Sequence, residues 1–447
     1  MKKTLSVLLS AVMLFCTLGV MPFSASADGA QKSGECGYGV NYRIDPDAGI
    51  LNIMATDEST GVMYDYDNQE SPFYFCNDYY IISVWEGVTS IGSYAFQANR
   101  YLDEVALPST LTKINRNAFA NCESMFMINF PTNLTTIGAY AFHNCYALEK
   151  IILNDNLKTV GDYAFYNCNA CDTLKIGSSV TRIGTEAFRN CQKISEINIP
   201  ATLTTVGSAA FDMCIGLKSV NITDLKAWCK IDFANDSSNP VSKSQSLKLK
   251  GGEIKNLVIP SGIKSVKPYA FTYCKGLTSV TVPEGATSIG TRAFGGCSGV
   301  TKVTLPKSLK SIDENAFEYC SGIKDVYYNG SKSDWSKIKI GIRNISVTES
   351  KIHFAAPGQV KNLKLTKGSK QLKASWKKVS GAKGYQVRYS LKKNMKGAKT
   401  KAVKANKATV KSLKSGKTYY VQARAYKTSG GKKHYGSWSA KKKIKVG

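Results

Sequence analysis

Histidine is scarce in this sequence: His143, His353 and His434 are the only three in 447 residues. None stands in H-E-x-x-H, and no G-x-S-x-G occurs. Cys168-Asn169-Ala170-Cys171 matches C-x-x-C, but no second pair at zinc spacing follows it. Gly416-Lys417-Thr418 ends like a phosphate loop, yet Lys411 stands where that loop needs its first glycine. Asp65, Asp67 and Asn68 lack the glycine and distal Glu of a calcium loop. These absences argue against hydrolase, metal and nucleotide chemistry, and no cofactor or metal is expected. Acidic residues are missing altogether from Pro357 to Gly447, a stretch with 27 Lys and Arg. The 356 residues before it carry 33 basic and 32 acidic side chains. After residue 27 no apolar run reaches 18 residues, so no membrane span is expected past the N-terminal segment.

What is present is ample apolar material. The chain is 43% hydrophobic and 10% aromatic, enough to bury cores in about two to four domains. Lys2 and Lys3 precede an apolar run from Leu5 to Phe23, then Ser24-Ala25-Ser26-Ala27. This is the pattern of a secretory signal peptide over 1–27, with an uncleaved anchor as the alternative. Phe15 before Cys16 speaks against a lipoprotein anchor, and no Leu-Pro-x-Thr-Gly sorting signal occurs. The expected location is secreted, extracellular or at the cell surface.

Ala-Phe recurs every 23 residues, ending at Phe96, Phe119, Phe142, Phe165, Phe188 and Phe211. The spacing resumes at Phe271, Phe294 and Phe317. A fixed period of this length means one supersecondary unit stacked on copies of itself. Other columns keep step, among them Val105, Ile128, Ile151, Leu174, Ile197 and Val220. A further column two residues on holds Leu107, Phe130, Leu153, Ile176, Ile199 and Ile222. Apolar residues two apart mark a half-buried strand, and Pro108, Pro131 and Pro200 follow such strands because proline cannot donate to a ladder. One unit cannot bury its own apolar face, so a parallel ladder of rows is expected.

The pattern Leu-x-x-Val-x-Leu-Pro-x-x-Leu-Thr-x-Ile-x-x-x-Ala-Phe-x-x-Cys, from Leu102 to Cys122, resembles the BspA-like leucine-rich repeats of bacterial surface proteins. The resemblance implies a mainly β solenoid over 81–354 whose role is adhesion or protein binding. From 357 to 447 short alternating strands with turns at Ser380-Gly381 and Ser415-Gly416 predict a β-sandwich. Trp376, Tyr385, Leu413 and Tyr419 resemble the marker residues of a fibronectin type III domain, with Leu413 and Tyr419 spaced as in its tyrosine corner.

Two features break the period. Sixty residues separate Phe211 from Phe271, so one repeat, about 223–259, is extended. It contains Trp228-Cys229-Lys230-Ile231, and Trp335-Ser336-Lys337-Ile338 repeats that pattern in the segment of about 327–354, read as a C-terminal cap. Both are expected to seal the core with a Trp; a binding feature is the alternative. Residues 28–80 keep no period, open with a hairpin and are rich in Tyr and Phe. They are expected to cover the open end of the array, with sugar stacking as the other reading.

Eight of the twelve cysteines beyond residue 27 lie three residues after a repeat Phe, from Cys122 to Cys320. A ladder of buried free thiols is expected; whether Cys36 and Cys76 pair is left open. Between the strand core columns lie outward positions: Glu104, Met127, Lys150, Thr173, Glu196 and Ser219 in one column, with Asn129, Ile152 and Lys175 in the next. Most are polar, as a solvated face would be. Met127 and Ile152, ringed by Asn129, Lys150 and Lys175, form a candidate patch for an extracellular protein or glycan. The Lys-rich sandwich is expected to act as a spacer or to bind an anionic envelope polymer. No nucleic-acid partner is expected, since no recognised motif is present. The reading is a non-enzymatic binding protein; the alternative is an envelope enzyme or accessory subunit with its site in the N-terminal cap or the extended repeat.

Overall fold

The computed structural model describes residues 32–56, 61–429 and 432–447. The signal-peptide segment 1–27 lies outside them. Chain contacts separate two compact units. One runs to Ile254 and takes in Lys267–Gly276 and Arg292–Cys297. The other comprises Lys255–Val266, Leu277–Thr291 and Ser298–Gly447.

Each regular row has the same parts. Glu196–Ile199 is a strand that pairs in parallel with Ser219–Ile222, one row on. Pro200 then turns the chain, its carbonyl accepting from Leu203 N at 3.2 Å. Thr205–Val206 forms a second short strand, parallel to Arg182–Ile183 of the row before. The Ala-Phe turn completes the row. Its Phe N–H donates to the Ala carbonyl of the next row at 2.8–2.9 Å, from Phe96 to Ala118 through Phe188 to Ala210. The period of 23 is therefore the spacing at which donors meet acceptors in all three places.

The turn is bought with backbone strain. The residue before Ala is left-handed at Tyr94, Asn117, Tyr140, Tyr163 and Glu186, with φ between 51° and 59°. So is the residue two after Phe, at Asn121, Asn144, Asn167 and Asn190, with φ from 61° to 65°. A non-glycine residue there costs about 1–2 kcal/mol, least for Asn. The ladders on both sides hold these positions in place.

The Phe column fills the core. Its nine rings are at most 1% exposed, and neighbouring rings from Phe96 to Phe211, and Phe271 with Phe294, stack at 5.1–5.6 Å between centroids. Burial of each ring contributes about 1.5–3 kcal/mol. The twelve described cysteines are free thiols, and the eight ladder thiols are buried. Cys122, Cys145, Cys168, Cys191, Cys214 and Cys297 donate their S–H to the Phe carbonyl of the row before, at 3.1–3.5 Å. A small apolar side chain with one weak donor suits that position.

At the N-terminal end the strands Ser33–Tyr38, Val40–Asp45 and Ile50–Ala55 are antiparallel. Ile50–Ala55 leads the first-strand ladder through Ile81–Val84. Ser33–Tyr38 joins the second-strand ladder through Gly61–Met63 and Val88–Ile91. Both ladders thus run into one 14-stranded sheet. Phe73, fully buried, sets a ring 5.3 Å ahead of Phe96. Asn99 stands where later rows have Cys, and its amide donates to Phe73 O at 2.8 Å.

The extended row has no Ala-Phe turn. Ala270 O, which a Phe N–H would otherwise reach, accepts from Trp228 Nε1 at 2.9 Å and from Asn239 Nδ2 at 3.2 Å. Trp228 ends the short helix Leu225–Trp228, capped by Asp224, and is 1% exposed. The parallel segment near the end of the array forms the helix Lys332–Trp335, capped by Ser331. Trp335 is only half-buried, set edge-on to Tyr328, so it does not seal the core as Trp228 does. Phe317 N donates instead to the side-chain oxygen of Asn344 at 2.9 Å.

Residues beyond Pro357 form a sandwich. Lys364–Gly368, Gln371–Ser375 and Lys407–Val410 make one antiparallel sheet. Lys399–Val403, Gly384–Ser390, Thr418–Ser429 and Lys432–Tyr435 make the other, with Lys442–Lys445 also paired to the long strand. Leu372, Ala374, Trp376, Tyr385, Val387 and Val421 pack between them. The Tyr419 hydroxyl accepts from Lys414 N at 3.1 Å, one residue past the buried Leu413. Tyr385 does the same for Val379 N at 2.9 Å.

Candidate binding surfaces

Three surfaces stand out. On the first, the outward side of the strand ladder, Lys150 is in register with Thr173 and Ile152 with Lys175. Ile152 is 47% exposed; Asn129, Lys150 and Lys175 are exposed and Met127 is half-buried. The outward column is not solvated throughout, however. Glu104 is only 2% exposed. It is in register with Ile81 on one side and Met127 on the other, and these apolar neighbours take water from it. Oε2 of Glu104 has no hydrogen-bond partner. Burial, with the nearby Asp103 carboxylate, raises its pKa. Ser219, at 4% exposed, is also buried, with its hydroxyl 3.2 Å from Glu196 Oε2.

The second surface is the Ala-Phe turn. Tyr140 and Tyr163 stack at 4.6 Å, and His143 stacks on Tyr166 at 4.9 Å. His143 is thus half-buried against aromatic rings, and burial lowers its pKa. Arg116 lies over Tyr140 and Arg189 over Tyr166. Beside them runs an asparagine ladder: Asn144 donates to Asn121, Asn167 to Asn144 and Asn190 to Asn167, at 2.7–2.9 Å. Gln192 donates to Asn190 at 2.7 Å. The 23-residue spacing of these asparagines was the available signal. Asparagine passes for an ordinary loop residue, which is why the column goes unread.

The third surface is the sandwich. On the outward side of its larger sheet, Trp438 lies 4.3 Å from both Arg388 and Arg424. Their guanidiniums also donate to Gln422 and Gln386, at 2.6–3.1 Å. The smaller sheet carries lysines without such partners.

Among the described residues no group of three or more His, Cys, Asp or Glu side chains could hold a metal ion. Among the same residues no helix is long and apolar enough to cross a membrane. Cys168 and Cys171 of the C-x-x-C are separate buried core thiols, one bonded to Phe142 O and the other to Thr173 O.

These features define a leucine-rich repeat β-solenoid followed by a fibronectin-type sandwich. The chain belongs to the BspA type leucine rich repeat family, whose sequence pattern matches residues 67–126, 115–238 and 247–355. The fibronectin type III pattern matches residues 356–441. Among solved structures the chain is similar to a leucine-rich repeat protein from Bacteroides ovatus, at 23% identity and TM-score 0.37, covering 71% of this chain and 89% of that one. A leucine rich cell surface protein from Faecalibacterium prausnitzii is 21% identical, with TM-score 0.31, over 68% of this chain and 98% of that one. The pneumococcal vaccine antigen PcpA is 19% identical, with TM-score 0.38, over 71% and 86%. No curated protein matches the chain.

Proposed function

We propose that this protein is exported and acts at the cell surface or beyond it as a binding or adhesion protein. The solenoid presents its strand face to an extracellular protein or glycan. The Lys-rich sandwich spaces the solenoid or tethers it to an anionic envelope polymer. The observation that carries this reading is that one chain joins an array of stacked repeats to a domain without an acidic side chain. Met127, Asn129, Lys150, Ile152 and Lys175 form the proposed contact patch, with Ile152 as its apolar centre. Exposed apolar groups ringed by polar ones are how binding patches are built.

The test is an immobilised panel of extracellular matrix proteins and cell-wall polymers, probed with the chain and with the paired variant Met127→Ser, Ile152→Lys. The chain is expected to retain at least one panel member. The variant should bind it about tenfold more weakly, or about 1.4 kcal/mol, with unchanged melting. Equal binding by a folded variant would remove the strand face from the contact.

A further inference from the structure

The smaller sheet of the sandwich turns Lys364, Thr366, Lys373, Ser375, Lys407 and Thr409 away from the core. The alternation with buried Leu372, Ala374, Ala408 and Val410 fixes this. Register then sets the pattern. Lys364 and Lys407 both face Ser375 from opposite sides, and Lys373 lies between Thr366 and Thr409. No lysine on this face has another lysine directly across from it. By register the three lysines form a triangle, with Ser375 on the Lys364–Lys407 side and Thr366 and Thr409 flanking Lys373. Its diagonal sides are about 7–8 Å at the Cα positions, and Lys364 and Lys407 are about 9.6 Å apart, two strand spacings. The three lysines are exposed and have no acidic side chain within their domain to pair with.

We infer that this face is a binding site for a linear polyol phosphate polymer. The inference rests on the tether reading above and gives it a location and a ligand. Two observations set lysine rather than arginine against the ligand, and a third favours phosphodiester over carboxylate. The stretch from Pro357 has 25 Lys and two Arg. The guanidinium fork grips carboxylate and phosphate alike, whereas a lysine ammonium acts as a point charge, as it does in phosphate loops. Both arginines are occupied on the opposite sheet, stacked on Trp438 and bonded to Gln386 and Gln422. Phosphate also offers more acceptor oxygens, and Thr366, Ser375 and Thr409 set hydroxyl donors between the ammonium groups. The face has no aromatic ring on which a base could stack, which single-stranded nucleic acid would use.

The experiment uses the whole chain and three probes at matched charge in low salt: poly(glycerol phosphate), polyglutamate and single-stranded poly(A). The site variant is Lys364→Gln, Lys373→Gln, Lys407→Gln. A control variant removes the same charge from the loop, Lys392→Gln, Lys393→Gln, Lys396→Gln. Exposed substitutions of this kind leave the fold intact, which melting checks. Poly(glycerol phosphate) should bind at least about fivefold more tightly than either other polymer, since only it meets both the ammonium and hydroxyl pattern without stacking. The site variant should lose about tenfold and the control less than about threefold, because a diffuse field is lowered equally by either set. Equal loss in both variants overturns the site while keeping a diffuse electrostatic tether. Preference for polyglutamate or poly(A) overturns the ligand class. No binding of any polymer by the unsubstituted chain overturns the tether reading itself.

Discussion

Around the Ala-Phe turn the solenoid pairs its charges. Arg189 lies 2.8 Å from Glu186 and 3.4 Å from Asp212, and Lys243 lies 2.8 Å from Asp212. The sandwich has 27 cationic side chains and no acidic one. The two regions also differ in the reach of their contacts. In a regular row the strand, Phe and Cys donors that link rows find their acceptors 22 to 26 residues away, one row over. In the sandwich Gln371–Ser375 must find Lys407–Val410 across an intervening strand pair of the other sheet. The solenoid is held by a short rule applied many times, and ion concentration touches it little. The sandwich is held by a core of distant segments and carries a surface that repels itself.

The largest expected effect breaks the rule at its centre. Phe165→Ala removes a ring stacked between Phe142 and Phe188 and should cost about 3–5 kcal/mol. Hydrogen exchange followed by mass spectrometry should show the loss spreading to neighbouring rows while exchange in 357–447 stays unchanged. Melting within a degree of the parent would contradict the Phe column as the core.

Alkaline pH offers a second probe of the same rows. Burial holds the Cys145, Cys168 and Cys214 thiols well above their ordinary 9.0, and Cys274 is pushed up to about 12. Such a thiol stays protonated in the folded state while its unfolded counterpart ionises above pH 9. Stability is therefore complete below pH 9 and falls as pH rises past it. Each raised thiol contributes a slope of about 1.4 kcal/mol per pH unit. Urea unfolding at pH 8, 9 and 10 should show Cys168→Ala with a shallower decline than the parent by about that amount. Alkylation of folded protein at pH 8 should leave the ladder thiols unlabelled until denaturant is added.

A smaller effect tests the extended row. Trp228→Phe keeps an aromatic ring and removes the indole donor to Ala270 O, leaving that carbonyl to Asn239. The expected cost is about 1 kcal/mol. Trp228→Phe combined with Asn239→Ala leaves the carbonyl without either side-chain donor and should cost more than the two single changes together. Strict additivity would mean that the two side chains do not share the task.

The smallest effect belongs to the sandwich. Raising salt from about 0.05 to 0.5 M screens its self-repulsion and should stabilise it by about 1 kcal/mol, or roughly 4–8 °C in a domain of this size. Protection in the regular rows should hardly move. A matching salt shift in both regions would dissolve the contrast.

The solenoid was legible because its signal is written nine times. Ala-Phe, the strand columns and the Cys column each keep the 23-residue step, and a buried column leaves little freedom in residue type. What escaped notice is what happens once, or what polar residues do. Asn99 replaces a ladder Cys by offering an amide donor to the same kind of carbonyl. Trp228, Asn239 and Asn344 use side chains where a regular row uses main chain, and no periodicity can announce a substitution made once. Glu104 belongs to the outward column by alternation, yet the residues across from it, 23 on either side, bury it. Its burial depends on side-chain bulk in other rows, which strand alternation does not encode. For the candidate patch, sequence supplied the register of Lys150 and Ile152 but not the degree to which Met127 is covered.

The bond from six of the ladder thiols to the Phe carbonyl of the row before bears on how such a gene can change. A segment inserted or lost within a regular row shifts Phe N–H, Cys S–H and both strands out of step together, so small changes in length are punished at several places at once. A duplicated 23-codon unit arrives with every donor and acceptor already matched. Natural variation in the length of this array should therefore come in whole copies. The extended row is the exception, because its own Trp228 indole and Asn239 amide serve the junction.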